Sequence, residues 1–371
     1  IGLLIQNCTF KDNESNKAYG TLYNDNSSVI VKNSTFENNV AAQASAVYNA
    51  GVGARPTFTN CTFANNVTLG SYGAMCSVTS EPKIINCTFV DNKAKDCSGA
   101  LAFLSMGKYI VVNSIFEGNT TETASSDIYI VGTNSKTLPQ IVLLNCAIKP
   151  QNIKMILKAD IISSDIYVHS PRVSKLAHNG GAVKTVAISA AGSAFSNALS
   201  PDIYDIPVDS ANIRITVPSD DARGLRRLTS DIGAYAYVVQ SADLSMGKDI
   251  PTECLPGASF DIPFDVNIFL AGTTYSDRAP DSIFWEVSGD AVHCEKSFIY
   301  ADRIGVANVV PATKGSREDG SRLRLEDRQI TVRVVNPISP DTVSLIASRN
   351  TMYDGERTRI VLSCDAESSE S

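Results

Sequence analysis

Cleaving a polysaccharide backbone needs two carboxyl groups at a fixed separation, or aspartates that hold Ca²⁺ beside an Arg or Lys base. The sequence of 371 residues carries 39 Asp and Glu, yet few are placed for such work. Glu37, Asp91 and Glu117 fall in turn-like stretches far apart in the chain, where a solvated charge is the plain reading. Asp202, Asp205 and Asp209 are close enough to suggest Ca²⁺, but their spacing fits no EF-hand loop. The histidines, His169, His178 and His293, pair with no nucleophile, and no G-x-S-x-G, H-E-x-x-H or P-loop pattern occurs. Arg223, Arg227 and Asp231 would suit a binding pocket, or an Arg–Asp network that pins a loop segment, which is the plainer reading. The sequence therefore nominates no catalytic residue, no metal ligand and no cofactor.

The nine cysteines do not read as disulfide halves. Cys8, Cys61, Cys87 and Cys146 recur at one position of a repeat where Ser34 and Ser114 also stand. A site that takes either residue wants a small buried side chain. Lys and Arg total 32 against 39 acids, a net charge of −7, which leaves no basic excess for nucleic acid. No apolar run reaches 18 residues, so no membrane-spanning helix is expected. The chain opens Ile-Gly-Leu-Leu-Ile, without Met, and reads as a piece of a longer protein whose signal peptide and earlier repeats precede it.

What must position any site is a repeat. NCTFKDN (7–13), NSTFENN (33–39), NCTFANN (60–66), NCTFVDN (86–92), NSIFEGN (113–119) and a degenerate NCAI (145–148) begin at Asn7, Asn33, Asn60, Asn86, Asn113 and Asn145, in steps of 26, 27, 26, 27 and 32. Small-small-apolar triplets alternate with them: Gly20-Thr21-Leu22, Ser45-Ala46-Val47, Gly73-Ala74-Met75 and Gly99-Ala100-Leu101. Short period-2 segments broken by Asn, Gly and Asp are strands, and strands this short must stack on their neighbours in a solenoid. The expected fold is all-β: a right-handed parallel β-helix followed by immunoglobulin-like β-sandwich modules. Phe10, Phe36, Phe63, Phe89 and Phe116 should form one interior column, and Val31, Phe58, Ile84, Val111 and Leu143 another. The repeated Asn should form a buried amide ladder and take the left-handed corners, which makes the N-x-S/T matches at Asn7, Asn33, Asn60 and Asn86 a by-product. Two stacks face outward: Thr9, Thr35, Thr62, Thr88 and Ile115, and Lys32, Thr59, Ile85 and Val112. Neither holds a carboxylate, and the Thr-rich face reads as a surface for contact.

This pattern resembles the β-helix repeats of bacterial surface proteins, including the polymorphic outer membrane protein family. That family's G-G-A-[I/L/V] appears as SGAL (98–101) and YGAM (72–75), and its F-x-x-N at each of the five Phe. The first Gly is usually replaced, so the likeness is to the broad repeat class, over roughly residues 1–170. Residues 176–237 resemble the closing segment of choice-of-anchor Q proteins, through Leu176, Gly180-Gly181, Thr185, Gly192-Ser193-Ala194, Asp221, Arg223-Gly224, Arg227 and Asp231-Ile232-Gly233-Ala234. Phe195 and Ala236 depart from that pattern. The physical sense of such a segment is a lid over the open strand edges at a helix end.

The expected organisation is repeats over 1–170, a cap over 171–238, an Ig- or PKD-like sandwich over 239–336 and the start of a second module over 337–371. Alternating strands at Phe260–Val266, Ile283–Val287 and Ile330–Val334 carry the sandwich, and a Cys254–Cys294 bridge is conceivable, though the Ig Cys-Trp-Cys spacing is not met. The functional expectation is a monomeric, secreted or cell-surface, non-catalytic bacterial protein. Its rigid surface would meet an extracellular polysaccharide, a host surface or a matrix protein. The alternative is a carbohydrate-active β-helix enzyme, a polysaccharide lyase or glycoside hydrolase.

Overall fold

The computed structural model describes residues 2–365, apart from 106, 133–137, 167–169, 190, 209–210, 248–249, 271–272, 278–282, 318–319, 337–341 and 348–359. His169 and Asp209 lie outside the described residues. Contacts divide the chain into two units. The first is residues 1–243 with 266–282 and 313–323; the second is 244–265, 283–312 and 324–371.

Residues 4–164 of the first unit wind into a parallel β-helix with four sheets. Sheet A stacks seven strands: Leu4–Gln6, Ile30–Lys32, Thr57–Thr59, Lys83–Ile85, Lys108–Val112, Gln140–Leu144 and Asp160–Ser164. Sheet B stacks Thr9–Lys11, Thr35–Glu37, Thr62–Ala64, Thr88–Val90 and Ile115–Glu117. Sheet C runs from Glu14–Tyr19 to Thr120–Thr121, and sheet D from Leu22–Asp25 to Ile153–Ile156. The first five coils visit A, B, C and D in turn, the sixth has strands only in A and D, and every ladder within the four sheets is parallel.

The stacking falls where the repeat places it. Phe63 pairs in register with Phe36 on one side and Phe89 on the other. The five Phe rings stack with centroids 4.6, 4.8, 4.6 and 5.2 Å apart. Val31, Phe58, Ile84, Val111 and Leu143 form the second interior column, all fully buried.

The two roles expected of one asparagine are divided between two. Asn7, Asn33, Asn60, Asn86, Asn113 and Asn145 take the left-handed corner between sheets A and B, with φ between 47° and 56°. Asn tolerates that conformation at small cost. The amide ladder belongs instead to the Asn that ends each motif, Asn13, Asn39, Asn66, Asn92 and Asn119. Asn39 Nδ2 donates to Asn66 Oδ1 at 2.9 Å and to the Phe10 carbonyl at 3.0 Å, while its Oδ1 accepts from Asn13 N and Nδ2. The pattern repeats up to Asn119, which donates to Asp127 Oδ1.

The Cys/Ser column has a donor as well as a size requirement. Ser34 and Ser114 donate Oγ–H to the carbonyl two residues back at 2.7 and 2.9 Å. Cys61, Cys87 and Cys146 direct Sγ to the same carbonyl at 3.3–3.4 Å. Hydroxyl and thiol thus serve one geometry, and these cysteines are free.

The segment expected as an end lid runs along the flank of the helix. It hydrogen-bonds to five successive coils, at Thr35, Asn60, Thr88, Asn113 and Asn145. The last coil keeps Met155, Ile156, Leu157, Ile161 and Ile162 exposed.

One sheet joins Glu253–Cys254, Ile330–Val334 and Ile283–Ser288 of the second unit with Gly305–Ser316, a strand that starts in that unit. Another joins Ser259–Asp261, Phe298–Ala301 and Val292–Glu295. The strand expected through Phe260–Val266 breaks at Pro263, which has no N–H for a ladder. Trp285 is buried edge-to-face on Phe264, centroids 5.6 Å apart. Cys254 and Cys294 are both free, in different sheets. Thr342–Ala347 and Ile360–Asp365 pair antiparallel.

Two outcomes follow from the columns. Phe63→Ala should lower unfolding free energy by about 3–5 kcal/mol in denaturant titration, because rungs on both sides fix the gap. Burial pushes the Cys87 thiol well above its usual value of 9.0 and that of Cys146 to about 12. The unfolded thiols ionise first, so their contribution is complete below pH 9 and is lost as pH rises towards 12. A Cys87→Ser/Cys146→Ser variant should therefore show a shallower fall in Tm over that range than the parent.

Candidate functional site

The flank layer decides which outward residues remain available. The hairpin Asp202–Val208/Ala211–Val217 alternates strictly, burying Ile206, Val208, Ile215 and Val217 against Ile85, Ile110, Val112 and Val142 of sheet A. Lys184, Val186, Gly233 and Ala234 cover sheet B. Thr35 Oγ1 donates to the Lys184 carbonyl at 2.6 Å, and the Ala234 N–H donates to Thr88 Oγ1 at 3.1 Å. Thr35, Thr62, Thr88 and Ile115 are fully buried. Apart from the exposed Thr9, the Thr-rich stack read as a contact face is therefore an internal interface with the layer that follows the solenoid in the chain.

Where the hairpin stands off the lower coils, it leaves a groove of about 670 Å³. Its floor is sheet A: Ile30, Lys32, Thr57, Thr59, Lys83 and Ile85, with the corner residues Asn33 and Asn60. Its wall is Pro201–Ile203 and Arg214–Asp220. A second hollow of about 350 Å³, lined by Arg55, Glu81, Lys83, Lys108, Ile110 and 212–214, shares Lys83 and Arg214 with the first. Lys83 ties floor to wall, its Nζ donating to the Arg214 carbonyl at 2.7 Å. Burial, and then the Arg55 charge, pull the Lys83 ammonium below its usual range. Arg55 pairs with Glu81 at 3.0 Å, and Arg214 grips Asp205 through two 3.0 Å bonds. The two hollows together present Lys32, Arg55, Lys83, Lys108 and Arg214 against Glu81, Asp202 and Asp220. On a chain of net charge −7 this is a local cationic surface.

The residues singled out for chemistry are dispersed. Asp202 lines the groove and accepts its neighbour's N–H, and Asp205 is held by Arg214; Asp209, the third member of the suggested Ca²⁺ cluster, lies outside the described residues. Asp221 and Arg223 form a buried ion pair at 2.7 Å, with the guanidinium 3.9 Å over the Tyr235 ring. Arg227 donates to the carbonyls of Asp231 and Gly233 and to Asn60 Oδ1. Burial raises the Asp231 carboxyl, against hydrogen bonds from Tyr237 N, Ser196 N and Thr229 Oγ1 that lower it. This cluster pins the flank layer to itself and to a coil corner. Glu37, read as a solvated turn acid, is instead clamped by Lys184 at 2.9 Å, a pairing across 147 residues that no local pattern announces. Asp91 is exposed and Glu117 half-buried on separate coils. His178 is exposed, and His293 contacts Asp302 at 2.8 Å.

The family described as right handed beta helix region matches residues 2–148, which supplies the hand of the solenoid. No curated protein and no solved structure matches the chain. Among the described residues, no helix is long and apolar enough to cross a membrane.

The groove depends on the hairpin seat. Ile215→Ala, at a fully packed position facing sheet A, should cost about 2–4 kcal/mol. Amide exchange over 202–217 should accelerate more than over sheets C and D, a difference that exchange mass spectrometry reads directly.

Proposed function

We propose that the protein is a non-catalytic bacterial protein that works outside the cell, a rigid β-helix whose flank groove binds an extended glycan. The observation that carries this reading is the groove itself. Its floor is a ladder of strands that repeats coil by coil, and its wall is a hairpin seated on four apolar side chains. A repeating floor suits a repeating ligand, and a floor that does not rearrange spares the ordering cost of binding. The Lys, Arg, Asp and Asn lining supplies donors and acceptors for hydroxyls. In the same reading, residues 239–336 are an Ig- or PKD-like spacer and 337–371 the start of another, while 171–238 serve as a flank clamp rather than an end cap.

Thr57 stands on the groove floor, half-buried. Thr57→Trp should fill the space without touching the interior columns. Binding to immobilised extracellular polysaccharides should fall at least about tenfold, or 1.4 kcal/mol, with Tm unchanged. Retention of no polysaccharide by the parent chain, or equal retention by the variant, overturns the reading.

One observation favours the catalytic alternative: Asp202 and Asp220 stand on the same groove wall. Asp220 lies 3.7 Å from Arg226. If the pair works as acid and base, polysaccharide chain length should fall with time in the parent and stay constant in Asp202→Asn/Asp220→Asn. Constant chain length with both proteins removes this alternative.

A further inference from the structure

The flank layer rests on two outward lines of the solenoid, the Asn corner and the Thr stack, and it passes over one buried residue in each. Along the corner, Asn60 Nδ2 donates to the Asp220 carbonyl, Asn113 exchanges two hydrogen bonds with the Leu199 backbone, and Asn145 Nδ2 donates to the Asn197 carbonyl. Along the stack, Thr35 donates to the Lys184 carbonyl and Thr88 accepts from the Ala234 N–H. Asn86 falls between Asn60 and Asn113, and Thr62 pairs in register with Thr35 and Thr88. Both are buried. Among the described residues, Asn86 Oδ1, Asn86 Nδ2 and Thr62 Oγ1 have no hydrogen-bond partner.

Arg227 explains the interruption at Asn86. One coil earlier the corner side chains bond to each other, Asn60 Nδ2 donating to Asn33 Oδ1 at 3.1 Å. The same step would carry Asn86 Nδ2 to Asn60 Oδ1, but that oxygen accepts from Arg227 Nη2 at 3.3 Å. Nη2 also donates to the Gly233 carbonyl at 2.8 Å, and the Gly233 N–H donates to the Asn113 carbonyl at 2.8 Å. The guanidinium therefore lies opposite the Asn86 rung, held through the coil before it and the coil after it. Its Nε–H is buried as well, and it too is without a partner.

Each such group, shut away from solvent, forfeits its full hydration, and here they gather in one seam. We infer that the seam between solenoid and flank layer is an internal water site, in which at least one bound water bridges Asn86 to Arg227 Nε. The mix of groups sets the class of ligand. Nε–H, Nδ2–H and the Thr62 hydroxyl can all donate, which a halide would accept, but Asn86 Oδ1 needs a donor, which a halide lacks. Charge points the same way. Arg223 and Arg227 are matched within the cluster by Asp221 and Asp231, so no ion is called for to balance it. Water donates and accepts at once, and a buried water typically makes about three hydrogen bonds. The site is independent of what the groove binds: it belongs to the joint that keeps the flank layer on the coils.

The test is a crystal structure of the full chain grown with sodium bromide, at a resolution that shows ordered water. A density peak about 2.7–3.2 Å from both Asn86 and Arg227 Nε, without anomalous signal at the bromine edge, is the expected result. An anomalous peak there makes the site a halide site and overturns the inference. A direct bond from Arg227 Nε to Asn86 Oδ1, with no density between them, overturns it as well. Asn86→Gly supplies a second measurement. Asn86 has φ 51°, which glycine adopts freely, so the corner keeps its shape while the amide is lost. Amide exchange over residues 227–234 should then accelerate about two- to tenfold, the scale of one net hydrogen bond, with sheets C and D unchanged. Equal exchange over 227–234 in parent and variant shows that Asn86 takes no part in the joint and overturns the inference.

Discussion

A parallel solenoid is held to one demand that all its other features serve: each coil must place every residue type directly over its counterpart, because only then do backbone ladders, ring stacks and amide stacks close together. The corner between sheets A and B enforces this with a left-handed Asn in six successive coils. The ladder after sheet B enforces it again. Each Oδ1 in its interior accepts two hydrogens from the coil before, and each Nδ2 donates to the coil after and to a Phe carbonyl of the coil before. All four hydrogen-bonding valences of a buried primary amide are thereby used, which is what makes its burial tolerable. A slipped coil would break several of these bonds at once and leave each orphaned group in a dry interior. The ladder ends on Asp127, whose carboxylate accepts from Asn119 and Asn152, so the terminal amide is not left open.

Length variation is confined to places where that demand is relaxed. The Phe positions advance by 26, 27, 26 and 27 residues, but sheet D starts advance by 25 from Leu22 to Val47 and by 28 from Val47 to Met75. The difference is absorbed at the end of sheet C, where pairing shifts register after Ser15 and after Thr68. The extra residues of the long final step fall in sequence between Val131, which ends a strand of sheet D, and Gln140, which starts one of sheet A.

Much of the solenoid was legible in the sequence because its contacts join residues one period apart, so a column in space is also a column in the aligned repeats. The Phe and aliphatic columns and the Ser/Cys equivalence were all readable on that basis. Two things were not. Which of two recurring Asn carries the ladder depends on which side of the bend is buried, and both sit at the same period. The outward stacks were misread because periodicity says that a residue faces out, not that anything lies beyond it. The composition held a hint: Ile85, Val112 and Ile115 are costly on a wetted face, and β-branched apolar residues facing outward imply a cover. The cover itself comes from residues 184–234, outside the period, so no column could nominate Lys184 for Glu37 or Asn60 for Arg227.

The division of labour between floor and wall has a consequence for how such a site acquires specificity. Outward floor residues touch neither the interior columns nor the amide ladder, so they can change without disturbing the register that keeps the coils together. The wall is seated by Ile206, Val208, Ile215 and Val217, which alternate with Asp205, Arg214 and Thr216 on the opposite face of the same hairpin. Period-2 alternation separates the two faces: one set of side chains seats the hairpin, and the other carries the Asp205–Arg214 pair on the side away from sheet A. Lys83 is the exception, since its ammonium serves the floor's charge and the wall's attachment at once. Substitution there changes groove charge and groove geometry together. The groove is thus shaped by a register that cannot drift, while its chemistry is set by residues that the register does not use.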